Sequence, residues 1–275
     1  THRGRTPVST PHPIRRELFF ALQRLIGSRA GAHYRALRAQ EHWAEERFQT
    51  WRAAALQQVL ERARAEVPYY RNVTSSALDR FPVTGKQELA AHYREFMAPA
   101  LRAQVLAGRR PRGYSWIEVT SGGTTGVPTT VIHDADFRDA NRAARVYEFD
   151  LCGFPFGTPH YRLWGSMADL QRARTSPVQR LTSALAGEHL LNAFRLEDAQ
   201  AEAYLRELQA SRIDHLVAYV DAADHLARFA QRRGLAVRPL RTIMSAAGTL
   251  TDEVRTRLQA VFGARVFNKY GSRDC

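Results

Sequence analysis

Thr120-Ser121-Gly122-Gly123-Thr124-Thr125-Gly126-Val127-Pro128-Thr129-Thr130 is the stretch on which the reading of this chain turns. The ten residues Thr120–Thr129 hold three glycines and five hydroxyl side chains. Trp116–Val119 before it and Thr130–Ile132 after it are β-rich and predict two strands. Glycine permits backbone angles that aim successive N–H groups at one anion, and Ser and Thr hydroxyls add donors. That is chemistry suited to phosphates. The stretch is not a G-x-x-x-x-G-K-[ST] loop, because no Lys follows Gly126 and Pro128 opposes an immediate helix. The expectation is a mobile hairpin rather than a strand-to-helix cradle. An ordinary hairpin turn is the plainer alternative, though such a turn needs one or two glycines and not this density of hydroxyls.

Outward from the loop, short strands alternate with helices. Tyr161–Trp164, Ile213–Val220, Thr242–Met244 and Val266–Phe267 read as strands, and Ala135–Leu151, Glu197–Ser211, Ala222–Arg233 and Asp252–Phe262 as helices. The alternation predicts an α/β fold with a mostly parallel sheet flanked by helices. Upstream, the pattern is helical from Ile14 to Val67. Trp51, Ala55, Val59 and Ala63, with Leu56 and Leu60 beside them, form one apolar stripe, and Pro68 should stop that helix. Thr84 is the expected N-cap of a further helix. Gly108-Arg109-Arg110-Pro111-Arg112-Gly113 gives the best boundary signal. The expectation is a basic helical region over 1–110 and an α/β region over 111–275, which the resemblance given below makes nucleotide-binding.

The 275 residues carry 40 Lys and Arg against 27 Asp and Glu, a net charge of +13, and 44% are hydrophobic, enough for a sizeable core. No apolar run reaches the ~20 residues of a membrane helix, so a soluble, cytoplasmic protein without a membrane partner is expected. Cys152 and Cys275 alone make neither a disulfide scaffold nor a four-ligand zinc site. Residues 1–110 hold 19 basic and 9 acidic groups against 21 and 18 in the remainder. The skew fits either an anionic partner or a solvated basic surface. Nucleic acid is not expected, since no RNA-binding aromatic signature or helix-turn-helix is recognisable. Ser121 lacks the G-x-S-x-G context of a hydrolase nucleophile. His133-Asp134 could contact phosphate or simply end the hairpin, and Cys152 reads as a buried structural thiol.

The Thr120–Pro128 stretch resembles the Ser/Thr/Gly-rich phosphate loop of the adenylate-forming superfamily, [ST]-S-G-[TGS]-T-G-x-P. Asn268-Lys269-Tyr270-Gly271-Ser272-Arg273-Asp274 resembles that superfamily's Tyr-Gly-x-x-Glu motif, and Ser245-Ala246-Ala247-Gly248-Thr249-Leu250 its S-G-G-x-x-L adenine loop. Val67-Pro68-Tyr69-Tyr70-Arg71, Phe81-Pro82-Val83-Thr84-Gly85-Lys86, Leu191-Asn192-Ala193-Phe194 and Leu216-Val217-Ala218-Tyr219 resemble the phenylacetate–CoA ligase and CapK-like branch. The resemblance runs from about residue 60 to the end. It implies the large N-terminal domain of the adenylate-forming fold, with both regions parts of one adenylation domain. It further implies an ATP-dependent, AMP-forming ligase that joins a carboxylic acid to Mg·ATP and passes the acyl group to coenzyme A, a carrier thiol or an amine.

Position by position, the resemblance assigns Thr120, Ser121, Thr124 and Thr125, with Gly122, Gly123 and Gly126, to the ATP phosphates and leaving pyrophosphate. Ala246, Ala247 and Gly248 fall against adenine, and Tyr270, with Gly271 and Ser272, on the nucleotide. Asp274 stands where the family has its Mg²⁺-binding glutamate, one methylene shorter. Trp164, Gly165, Tyr219 and Asp221 fall near the acid, with strand-end packing as the alternative for Trp164 and Tyr219. The family continues with a ribose-holding aspartate, a hinge and a small domain bearing the catalytic lysine, and neither Lys86 nor Lys269 stands where that lysine would. The expectation is therefore part of a longer protein. The alternatives are a non-catalytic nucleotide-binding pseudoenzyme and a basic binding module for an anionic partner.

Overall fold

A computed structural model describes residues 13–108, 115–120, 130–165, 177–194 and 196–271. The chain divides into two compact units, one of residues 23–144 and one of 13–22 with 145–271. In the first, helices Ala30–Gln40, Glu45–Glu66, Lys86–Ala91 and Pro99–Leu106 precede a hairpin of β1 (Ile117–Thr120) and β2 (Thr130–His133). Pro68 does stop the long helix, opening a 3-10 turn after an extended Val67. The apolar stripe on that helix is less covered than its pattern suggests. Leu60 is buried, but Trp51, Leu56 and Val59 are exposed, and Trp51 meets Trp43 and Phe48 near the helix start. Thr84 caps nothing here: the N-cap of Lys86–Ala91 is Gly85, in extended backbone, with no side-chain cap.

β1 and β2 pair antiparallel, Ile117 opposite His133 and Thr120 opposite Thr130, so the strands of the expected hairpin are present. Asp134 accepts a hydrogen bond from Phe137 N (2.8 Å), capping the helix Ala135–Leu151, and the His133 ring packs on Phe137. His133 thus ends β2, and Asp134 serves as the cap of the helix that follows. At the start of the helix Ala30–Gln40, buried Asp139 accepts from Ser28 Oγ (2.5 Å) and Arg29 N (2.6 Å).

The second unit is built on a parallel sheet of β3 (His160–Trp164), β4 (Glu188–Asn192), β5 (His215–Tyr219), β6 (Thr242–Ala246) and β7 (Arg265–Asn268), in the order β4-β3-β5-β6-β7. Helices Asp198–Ala210, Val220–Arg232 and Asp252–Phe262 connect the strands, as the alternation predicted. β4 and the helix Pro177–Ala186 were not anticipated. β4 lacks β-branched residues and lies at the sheet edge, with Leu190 exposed, so its pattern never declared a buried strand. One sheet face carries Leu163, Leu191, Leu216, Ala218, Ile243 and Val266 into the main core, where they meet Leu205, Leu208, Leu226 and Phe262 of the helices. Fully burying a side chain such as Leu163, Leu216 or Ile243 contributes about 2 kcal/mol. The other face carries Val217, Met244 and Phe267, packed with Cys152, Phe154 and Phe149. Burial pushes the Cys152 thiol up to about 11, as befits a structural cysteine.

Candidate functional site

The strand order places a topological switch in the second unit. From β3 the chain moves to β4 on one side, and from β5 to β6 and β7 on the other. The crevice outside the carboxyl ends of β3 and β5 is where open parallel sheets bind ligands. Trp164 is the last residue of β3 and Tyr219 the last of β5. Their rings meet with centroids 4.1 Å apart and planes tilted by 38°, and the Arg162 guanidinium lies 4.6 Å from the Trp164 ring. Both aromatic residues are half-buried, so the pair has a face toward solvent.

Gly165 follows Trp164 where no side chain fits: a Cβ there would stand 2.8 Å from Phe194 N and 3.0 Å from Ala193 C. Ala193 N donates to Trp164 O (3.1 Å), extending the β3–β4 ladder past Asn192. Asp221 lies in the first turn of Val220–Arg232 and is exposed. Its charge suits the helix N-terminus.

Next along the edge, β6 ends at Ala246, which is buried, while Ala247 and Gly248 are exposed. Ala247 has φ 56°, the only non-glycine with positive φ among the described residues. It stands where the resembled motif has glycine. A Cβ at Gly248 would lie 3.0 Å from Val220 Cβ, so this turn packs closely on the residue after Tyr219. Thr251 then caps Asp252–Phe262, its Oγ1 accepting from Val254 N (3.3 Å). Beyond β7, Lys269 N donates to Ser245 O (2.8 Å), and the following Tyr270 is 94% exposed. Gly271 is also exposed.

Of the residues expected to serve a site, Trp164, Gly165, Tyr219, Asp221, Ala246, Ala247, Gly248, Tyr270 and Gly271 thus gather at one edge of one sheet. Thr120 ends β1 in the other unit, its Oγ1 3.2 Å from that of Thr130. Ser121, Gly122, Gly123, Thr124, Thr125, Gly126, Ser272 and Asp274 lie outside the described residues. Two participants at the edge escaped the sequence reading: Glu148, which pairs with Lys269, and Arg162 on Trp164. Only the rarity of lysine, two in the chain, marked Lys269 out.

Among solved structures, a 2-hydroxyisobutyryl-CoA ligase in complex with 2-HIB-AMP and CoA superposes with a TM-score of 0.52, covering 82% of this chain and 49% of its own at 20% identity. The chain has the fold of an adenylate-forming ligase. The same ligase in its postadenylation state with 2-HIB-AMP gives 0.49 at 20% identity, over 78% of this chain and 46% of that one. The crystal structure of VinN gives 0.40 at 16%, over 65% and 42%. This chain spans about half the length of the ligase it matches, 49%. No protein-family model matches the chain, and no curated protein matches it.

Proposed function

We propose that this chain is the nucleotide-binding part of an AMP-forming ligase that activates a carboxylic acid. The observation that carries the proposal is the placing of two motifs. Ser245–Leu250 and Asn268–Gly271, the stretches that resemble adenine-binding and Tyr-Gly motifs, leave adjacent strands β6 and β7 at the carboxyl edge beside the Trp164–Tyr219 pair. A tight, exposed turn at Ala247–Gly248 and an exposed Tyr270 suit a planar base bound between backbone and ring. Residues 1–110 and 111–275 then belong to one large adenylation domain.

In the proposed reaction an oxygen of the acid's carboxylate forms a bond to the α-phosphorus of ATP. The bond from that phosphorus to the bridging oxygen breaks, and pyrophosphate leaves. Charge grows on the phosphate oxygens as this happens, and the N–H and hydroxyl donors of Thr120–Gly126 are of the kind that would stabilise it. Mg²⁺ takes few protein ligands beside nucleotide phosphates, so one carboxylate, Asp274, would suffice to hold it; when bound it neutralises phosphate charge. Transfer of the acyl group to coenzyme A, a carrier thiol or an amine completes the proposal. The solved ligase holds CoA with its acyl-adenylate, which favours the thiol.

Calorimetry with AMP and with Mg·ATP tests this directly. AMP should bind the chain alone, and replacing Gly123 and Thr124 with bulky apolar residues should weaken ATP far more than AMP. Absence of binding by either nucleotide would refute the proposal.

A further inference from the structure

Alternation along the strands sets a single row of side chains at the carboxyl edge. The registers pair Trp164 with Asn192, and Tyr219 with Ala246. Leu163 opposite Ala218 and Ser245 opposite Asn268 are the last pairs of their ladders, so Trp164 falls beside Tyr219 and Ala246 beside Lys269. The row lies on the face that carries Val217, Met244 and Phe267, under Phe149. Lys269 confirms the face, because its ammonium pairs with Glu148, one residue before Phe149 in the same helix. The row therefore runs from an aromatic pair, over the small Ala246, to an ion pair. Both charged side chains are about a quarter exposed, Lys269 26% and Glu148 29%. Strands stand about 4.8 Å apart, so roughly 10 Å separates the backbones at Tyr219 and Lys269.

A ligand body resting on the Tyr219 and Trp164 rings and over Ala246 ends at a neutral ammonium–carboxylate pair. A second carboxylate there would meet Glu148, and an ammonium would meet Lys269. A methyl group would shield both from water without replacing their hydrogen bonds. A hydroxyl accepts from Lys269 through one lone pair and donates to Glu148 through its hydrogen, satisfying both. Lys269 has three donors, and Glu148 takes one of them. We infer that the acid taken at this edge bears a hydroxyl group remote from its reacting carboxylate, held jointly by Lys269 and Glu148. The inference rests on the ligase reading above.

Two matched series test it by calorimetry on the intact chain: phenylacetate with hydroxyl, methyl or carboxylate in the para position, and 6-hydroxyhexanoate with heptanoate and heptanedioate. In at least one series the hydroxy acid should bind about tenfold more tightly than its methyl and carboxylate counterparts. Lys269→Met and Glu148→Gln should each remove most of that preference, while the doubly reversed Glu148→Lys with Lys269→Glu should restore it. Restoration in the reversed pair separates recognition from mere loss of folding, and circular dichroism checks each variant. Methyl or carboxylate acids binding as well as the hydroxy acid, a preference that survives both single variants, or no binding in either series would overturn the inference. AMP binding, followed in parallel, reports on the ligase reading separately. Retained AMP binding without the hydroxyl preference sinks the inference alone, whereas a hydroxyl preference without AMP binding sinks the ligase reading and leaves only a hydroxy-acid site at this edge.

Discussion

His215, on β5, is 3% exposed, and its ring stacks on Phe154 with centroids 4.7 Å apart. One step before the Tyr161–Leu216 pair, its neighbour on β3 is His160, 2% exposed. His160 Nδ1 lies 3.0 Å from Thr158 O, to which it donates as a neutral ring. Among the described residues, His160 Nε2 and His215 Nδ1 meet no hydrogen-bond partner. Burial pushes the His215 pKa from 6.5 down to about 4; Asp214 acts against this, while His160 and Arg241 act with it. An unfolded histidine titrates near 6.5, so as pH falls below that value the unfolded chain takes up a proton that the native site refuses until about 4. Stability is therefore full above 6.5 and falls as pH drops through the window to 4. The gap sets a ceiling of about 3 kcal/mol, and partial solvent screening brings it to about 2 kcal/mol. For a chain of this size that is about 4–8 °C in Tm. Thermal melts of the wild type and His215→Leu at pH 7.5, 6.5, 5.5 and 4.5 measure it. The wild type should lose that much more Tm across the window than the variant. His160, also pushed down by burial, is common to both. Parallel Tm curves for the two proteins would refute the reasoning.

Gly165→Ala drives a methyl into the backbone of 193–194, and should cost about 1–3 kcal/mol, read as a lowered urea midpoint with a shifted Trp164 fluorescence maximum. An unchanged midpoint would contradict the tight approach. Ala247→Gly removes left-handed strain of about 1–2 kcal/mol and returns about 0.4–1 kcal/mol to the unfolded chain as entropy. Its Tm should hold or rise slightly, and a clear fall would argue against the positive φ. Asp139→Ala leaves Ser28 Oγ and Arg29 N without their acceptor and should cost about 2–4 kcal/mol, with faster hydrogen exchange in Ala30–Gln40.

How much of this was legible in the sequence depended on whether the signal was local. Ala135–Leu151 and Asp252–Phe262 were read to the residue, because Asp134 and Thr251 cap them and their apolar periodicity is plain. The β1–β2 pairing was legible from the β-rich composition on both sides of the Gly- and Thr-rich stretch. What failed was coverage. The stripe on Glu45–Glu66 has the spacing of a buried face, yet periodicity states only that a face exists, and Trp51 finds its company in Trp43 and Phe48.

The site divides along the same line. Trp164 and Tyr219 were each as readily strand-end packing as pocket, for nothing between residues 164 and 219 says that β4 is placed outside β3 and β5 inside it. Only that crossover makes neighbours of two aromatic residues from distant parts of the chain, and makes a switch point of their edge. Glu148 was invisible for a related reason. It sits near the end of a helix that closes over the sheet, 121 residues from the lysine it pairs with, and its position in Ala135–Leu151 looks like any solvated helix turn. A motif search assigns roles to the residues it contains, and the choice of acid falls instead to what the fold brings beside them. Under the ligase proposed above, the fold sets the Lys269–Glu148 pair beside the motif residues, and the matched acid series asks whether a hydroxyl bridges it.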